Sequence, residues 1–254
     1  MVSDSNAISV IVNGASGKMG AMACETIEQH PEFQLVARCG RGDDLGHVIQ
    51  SSGADIVIDL TSAAAVRKNS LTILEHNARP VIGSSGLSAE DIAELDAICK
   101  EKKLGGLIVP NFSLGAVLMM HFSAQAAKLL SNVEIIEAHH PQKLDAPSGT
   151  AMKTAEMINA SRKHPPESLA LKELVEGARG AQFQQVPIHS MRLPGIVARQ
   201  SVIFGSRGET LTIAHESIDR QSFMPGIIFS CQQVMHLKYL VYGLESLLLS
   251  ELAR

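Results

Sequence analysis

The run ISVIVNGASGKMG, residues 8–20, limits the possible folds more than any other stretch of the chain. A Val/Ile-rich segment ends at Asn13, and Gly14, Gly17 and Gly20 follow at the opening of a helical pattern. A strand that passes into a helix through so few residues is the first step of a parallel sheet with covering helices. Each glycine has its own reason. Gly14 permits a tight turn, Gly17 lets the backbone approach a pyrophosphate, and Gly20 allows the helix to pack close to the strand. Phosphates would then meet free amides and the positive end of the helix dipole. The spacing is GxxGxxG rather than GxGxxG, so an ordinary glycine turn between strand and helix gives similar letters. The strand before it and the helix after it favour dinucleotide binding.

The pattern continues through the first half. FQLVARC, ADIVIDLT, RPVIGSS and GLIVPN are strand-like, and KMGAMACETIEQH and SAEDIAELDAICKEK are helical. Ser88, followed three residues later by Asp91, resembles a capping box with Asp in place of Glu. After Asn111 the order changes. A helical LGAVLMMHFSAQAAKLL leads to the strand-like VEIIEA, a polar loop and a helix (AMKTAEMI). A Gly-containing polar stretch, residues 164–182, precedes QVPIHSMRL, ARQSVIFGS and ETLTIAHES, which short turns join into an antiparallel or mixed sheet. The expected fold class is α/β: a Rossmann-like parallel-sheet domain over residues 1–110, and a smaller α+β domain with a mixed or antiparallel open sheet over 111–219. Residues 220–254 read as a long helical segment from Pro225 that returns to the first domain.

A chain of 254 residues can bury sizeable cores, and 45% apolar with 19% charged residues describes an ordinary globular protein. The net charge of −4 and the absence of Trp argue against nucleic-acid binding and base-stacking surfaces. The polar start MVSDSNAIS lacks the pattern of a signal peptide, and the late apolar segment carries Gln232, Gln233, His236 and Lys238, unlike a membrane span. Cys24, Cys39, Cys99 and Cys231 have no metal-type spacing and read as reduced thiols of a cytoplasmic protein.

Cofactor choice turns on the end of the second strand, where an acidic residue would hold the 2′-hydroxyl of NAD and a basic one a 2′-phosphate. Arg38 and Arg41 stand there, ahead of Asp43 and Asp44, so NADPH is the expected cofactor with NADH possible. The Gly83-Ser84-Ser85-Gly86 and Val109-Pro110-Asn111-Phe112 loops also close strands, at the edge where open parallel sheets bind ligands.

The densest chemistry lies in EAHHPQKLDAPSGT, residues 137–150. Two histidines, a lysine and an aspartate precede a helix start, where Ser148, Gly149 and Thr150 offer unpaired amides to an anion. VEIIEAHHPQKLDAPSGTA is similar to the signature of the 4-hydroxy-tetrahydrodipicolinate (dihydrodipicolinate) reductases of lysine and diaminopimelate biosynthesis. VNGASGKMG, DLTSAAA, GSSG, VPNFSLG, HSMRLPGIVARQSVIFGSRGETLTIAH and DRQSFMPG follow in that family's order.

The resemblance implies reduction of a cyclic, doubly anionic imine by a nicotinamide hydride, with a proton delivered to the carbon skeleton. It implies His139 as the acid/base residue and Lys143 as a proton donor that also contacts substrate. His140, Gly149 and Thr150 become substrate-binding groups, together with Ser148 at the same helix start. Nucleotide contacts are implied for Gly14, Ala15, Ser16, Gly17, Lys18 and Met19, for Gly83, Ser84 and Ser85, and for Val109, Pro110, Asn111 and Phe112. Arg220 and Phe223 match a late segment that closes over the cofactor. The family's small domain hinges on the nucleotide domain, and four subunits associate through the substrate-domain sheets.

Many relatives have Arg at Pro141, an aromatic residue or His at Gln142, and Glu at Gly40, and some have more residues between Arg41 and Asp55. These departures bear on nucleotide preference and leave the chemistry intact. His121, His189, His215 and His236 lack partners nearby in sequence and read as packing or surface residues; Asp145 reads as a loop or cap residue. Metal binding has no support, since the His139-His140 pair lacks a further ligand at sensible spacing. A dehydrogenase for another amino-acid precursor would explain the glycine loop but not HHPQKLDAPSGT. A nucleotide-sensing regulator would need a DNA-binding helix pair or a basic patch, and neither is present.

Overall fold

A computed structural model describes residues 7–166 and 172–252. The chain divides into two compact units, one running to Leu114 and resuming at Phe223, the other spanning Gly115–Ser222.

The first unit opens with β1 (Ile8–Asn13), α1 (Lys18–Gln29), β2 (Phe33–Cys39), α2 (Leu45–Ser52) and β3 (Ile56–Asp59). It continues with α3 (Val66–Glu75), β4 (Arg79–Ile82), α4 (Ala89–Lys102) and β5 (Gly106–Ile108). Val10, Ile11, Val12, Ile56, Val57 and Ile58 have no exposed surface, because helices cover both faces of a parallel sheet. Helix ends follow local chemistry. Asp44 caps α2, and Ser88 and Asp91 exchange both bonds of a capping box at α4.

The second unit holds most of α5 (Leu114–Ala126), then β6 (Asn132–His139), α6 (Gly149–Ser161), β7 (Ala181–Phe183), β8 (Val186–Arg192), β9 (Ala198–Ser206) and β10 (Glu209–Ser217). Its sheet runs β10-β9-β6-β8-β7, with β6 and β8 parallel and the other pairs antiparallel. Strand alternation sends Val133, Ile135 and Glu137 of β6 to the buried face, where α6 contributes Ala155 and Ile158. The other face, with Glu134, Ile136, His189, Met191 and Ile203, is partly open.

A single 3-10 turn, Arg220–Phe223, leads to α7 (Met224–Val234), β11 (Leu240–Tyr242) and α8 (Glu245–Leu252). The expected long C-terminal helix is therefore interrupted. Leu240, Val241 and Tyr242 pair in parallel with Gly106, Leu107 and Ile108, which completes a six-stranded sheet in the order β11-β5-β4-β3-β1-β2. Helix α7 packs against α1, β4 and β5, so the returning segment contributes both a strand and a cover. The division between units falls at Leu114 and Ser222 rather than at residues 110 and 219. None of the described helices is long and apolar enough to cross a membrane.

Candidate active site

Strand order reverses between β1 and β3, and the glycine turn stands at the carboxyl end of β1, the position where such sheets bind ligands. Gly14 has φ +88°, and a Cβ there would lie 2.6 Å from the Leu60 carbonyl oxygen. A Cβ on Gly20 would come within 2.1 Å of the Gly14 carbonyl oxygen, so the helix crosses the turn at a distance that only glycine allows. Gly17 differs. Its nearest obstacle would be 3.3 Å away, and it caps α1 without any side-chain bond to the helix amides. The turn is thus closed toward the sheet and less hindered at the helix start, and it fits a pyrophosphate.

Buried Asp59 organises the neighbouring loops. Its carboxylate accepts from Asn13 Nδ2 at 3.1 Å, Asn69 Nδ2 at 2.7 Å, Thr61 Oγ1 at 2.7 Å and Ser84 Oγ at 2.8 Å. One acceptor therefore ties the ends of β1, β3 and β4 together, and Ser84 is among the residues it fixes. Gly83 lies against the Phe112 ring, whose Cε2 would be 2.6 Å from an added Cβ. Val109 and Phe112 are buried, the Val109 amide already donates to the Ile82 carbonyl, and the Phe112 carbonyl lies against Gly226. Pro110 is exposed and Asn111 half-buried beside them.

At the end of β2, the Arg38 guanidinium is paired with Glu28 at 2.7 Å. Arg41 is exposed and makes no ion pair among the described residues. Asp43 accepts from the Gly40 amide and Asp44 from the His47 amide, so both acids serve the turn and the helix cap.

In the second unit β6 ends at His139 and α6 begins at Gly149. His139 Nδ1 lies 2.6 Å from Oε2 of Glu137, which has no exposed surface. Arg192 at the end of β8 straddles the same carboxylate, Nη2 to Oε1 at 2.9 Å and Nη1 to Oε2 at 3.1 Å. The Ser148 amide adds a bond to Oε1 at 3.3 Å. Burial pushes the Glu137 pKa up. Bonds from His139, Arg192 and Ser190, with the Arg192 charge, outweigh it and hold the carboxyl at about 2.

Arg192 also donates to the carbonyls of Lys143 at 3.2 Å and Asp145 at 2.7 Å, so it grips the loop on both sides of Leu144. Lys143 Nζ contacts both Asp145 oxygens, at 2.9 and 2.8 Å, and its amide donates to the His140 carbonyl. Asp145 is therefore an ion-pair partner, not a cap. Its carboxyl is held below the usual range by the Lys143 bond first. Ser148 caps α6 by accepting from the Ala151 amide, and an added Cβ on Gly149 would meet nothing within 4 Å. Thr150 follows in the first turn. His140 Nδ1 is buried without a hydrogen-bond partner.

His139, His140, Lys143, Ser148, Gly149 and Thr150 thus gather on one loop and one helix start. Arg220 and Phe223 sit on the 3-10 turn at the division between units, Arg220 in the second and Phe223 in the first. His189 does have a partner, Glu134 Oε2 at 2.8 Å, on the open face of the second sheet. A cavity on that face, lined by Glu134, Ile136, Arg179 and Ile203, contains none of the site candidates. Sequence reasoning missed Glu137, Arg192 and Asp59. The signal for Glu137 was present: a charged residue at a position whose alternation points into the core.

By fold the protein is a two-unit α/β protein with a Rossmann-like parallel sheet and a glycine turn of the dinucleotide-binding kind. Its sequence narrows the class. Residues 8–112 match the family model for the N-terminus of dihydrodipicolinate reductase and residues 115–248 the model for its C-terminus. A 4-hydroxy-tetrahydrodipicolinate reductase of Legionella pneumophila (strain Lens) is 60% identical over 94% of this chain and 98% of its own. One from Coxiella burnetii (strain Dugway 5J108-111) is 52% identical over 95% and 100%. The dipicolinate-bound dihydrodipicolinate reductase from Paenisporosarcina sp. TG-14 superposes with a TM-score of 0.89 at 42% identity, over 94% of this chain and 99% of that one. The chain belongs to the dihydrodipicolinate reductase family.

Proposed function

We propose that the protein reduces 4-hydroxy-tetrahydrodipicolinate to tetrahydrodipicolinate with NADPH, and with NADH less well, the 4-hydroxyl leaving as water, in lysine and diaminopimelate biosynthesis. One observation carries the reading: an imidazole, an ammonium and an open helix start share the loop that runs from β6 to α6. A ring with two carboxylates needs cations and amides, and carbon protonation needs an acid that works near neutral pH. The relatives' names fit this substrate, and the dipicolinate bound to the Paenisporosarcina enzyme is itself a dicarboxylate.

Lys143 and the Gly149 and Thr150 amides bind the carboxylates, assisted by His140 and Ser148. His139 delivers the proton from its Nε2 atom, with Lys143 as a second donor. When bound, the reduced nicotinamide supplies the hydride. Gly14–Met19 cradle the pyrophosphate, and Gly83–Ser85 and Val109–Phe112 border the nicotinamide. Arg41 favours a 2′-phosphate, and Arg220 and Phe223 close over the nucleotide. The half-open second sheet, with Ile136, Met191 and Ile203 on its outer face, supports a homotetramer joined through that sheet. Four free, buried cysteines support a cytoplasmic setting.

The test supplies aspartate semialdehyde, pyruvate and the preceding synthase, and follows nicotinamide absorbance as the protein is added. Oxidation of NADPH above the protein-free control is expected. Silence with both NADPH and NADH would remove this reading.

A further inference from the structure

His139 and Arg192 are register partners on the parallel strands β6 and β8, and Glu137 stands two residues before His139 on the same face. An ionised carboxylate only accepts hydrogen bonds. The atom facing Glu137 across 2.6 Å, Nδ1 of His139, must therefore carry the hydrogen, which leaves Nε2 for proton exchange. Arg192 maintains that carboxylate with a two-pronged grip and gives its remaining donors to the Lys143, Asp145 and Met191 carbonyls. The Ser148 amide, at the start of α6, binds the same carboxylate. A single ion pair thus reaches the imidazole, the lysine loop and the helix start.

We propose that Glu137 and Arg192 are positioning residues for the reaction: Glu137 fixes the tautomer and direction of the His139 ring, and Arg192 fixes Glu137 and the loop that bears Lys143. The inference rests on His139 and Lys143 acting as assigned above. Glu137 is ionised throughout the neutral range, its pKa held at about 2, as the role requires.

The experiment is a double-mutant cycle of Glu137→Gln and His139→Gln, read as kcat and KM in the coupled assay. Glu137→Gln is expected to lower kcat on the order of 100-fold. KM should stay within about three-fold. In the His139→Gln background the same substitution should change kcat by less than about three-fold, because its effect passes through the ring. Equal losses in both backgrounds overturn the inference and leave the proposed function standing. Undiminished turnover by His139→Gln would instead overturn the functional assignment itself. Should Glu137→Gln fail to fold, ¹⁵N NMR of histidine-labelled native protein decides the matter. Neutral His139 is expected to carry its hydrogen on Nδ1, and an Nε2–H tautomer overturns the proposal.

Discussion

Buried Glu137 and partly exposed Arg192 form an ion pair across adjacent strands, with both guanidinium arms on one carboxylate at 2.9 and 3.1 Å. The pair makes part of the fold's stability depend on pH. The folded carboxyl titrates near 2 and its ordinary value is 4.5, so the unfolded chain binds the extra proton in that window. The contribution, about 3 kcal/mol, is complete above roughly pH 4.5 and is lost as pH falls toward about 2. Urea unfolding of the native protein and Glu137→Gln should show a constant difference in free energy from about pH 5 to 7, shrinking below roughly 4.5. A difference that stays level down to about pH 3 would contradict the assignment.

Lys143 is held by the exposed carboxylate of Asp145, with which a substrate carboxylate that binds this lysine as proposed has to compete. Asp145 is 62% exposed, and pairs of that kind contribute about 1 kcal/mol or less. Asp145→Asn should therefore lower KM, or the inhibition constant of dipicolinate, by at most about five-fold with kcat little changed. Lys143→Met should lower kcat/KM by roughly 100-fold or more. Competition assays with dipicolinate on both variants measure this. Weaker binding after Asp145→Asn would show that Asp145 assists the substrate.

Gly17 and Gly20 are three residues apart and should respond oppositely to alanine. The added methyl at Gly20 would strike backbone at 2.1 Å, whereas at Gly17 the nearest atom is 3.3 Å away. Gly20→Ala should destabilise the protein by about 3 kcal/mol or more, visible as a lowered unfolding midpoint. Gly17→Ala should lower the midpoint less than Gly20→Ala does and, with the pyrophosphate approaching there as proposed, bind NADPH at least about ten-fold more weakly. Calorimetric titration separates the two effects; native-like NADPH affinity in Gly17→Ala would move the phosphates elsewhere.

The two arginines at the end of β2, Arg38 within the strand and Arg41 just past it, should contribute unequally to cofactor choice. Arg38 is already bound by Glu28, while Arg41 is exposed and makes no ion pair among the described residues. Arg41→Ala should reduce the ratio of NADPH to NADH efficiency by about ten-fold, and Arg38→Ala by less. The ratio of kcat/KM for the two nucleotides decides it, and an unchanged ratio in Arg41→Ala would remove the phosphate contact.

Much of this was legible beforehand wherever the physics was local. The glycine turn, the strand runs of both sheets, the Ser88–Asp91 box and the start of α6 at Ser148 depend on neighbours within a few residues. Strands β7 and β11 escaped because three residues carry no readable period, and in β11 the pairing with β5 overrides the helical surroundings. The site was legible as a loop and not as a network. His139 and Lys143 stand out by composition, but the Arg192 that steadies their surroundings is 55 residues downstream of Glu137. Its place is set only when β8 joins β6 in parallel register.

The sixth strand of the first sheet comes from Leu240–Tyr242, while the second unit is one continuous segment, Gly115–Ser222. On the ribosome the second unit can therefore finish folding first. The first sheet must wait with an unpaired β5 edge until Leu240–Tyr242 has been synthesised. Translation stalled before residue 240 would leave that edge bare and open to other strands, so closure of the first sheet depends on a segment made after the whole second unit.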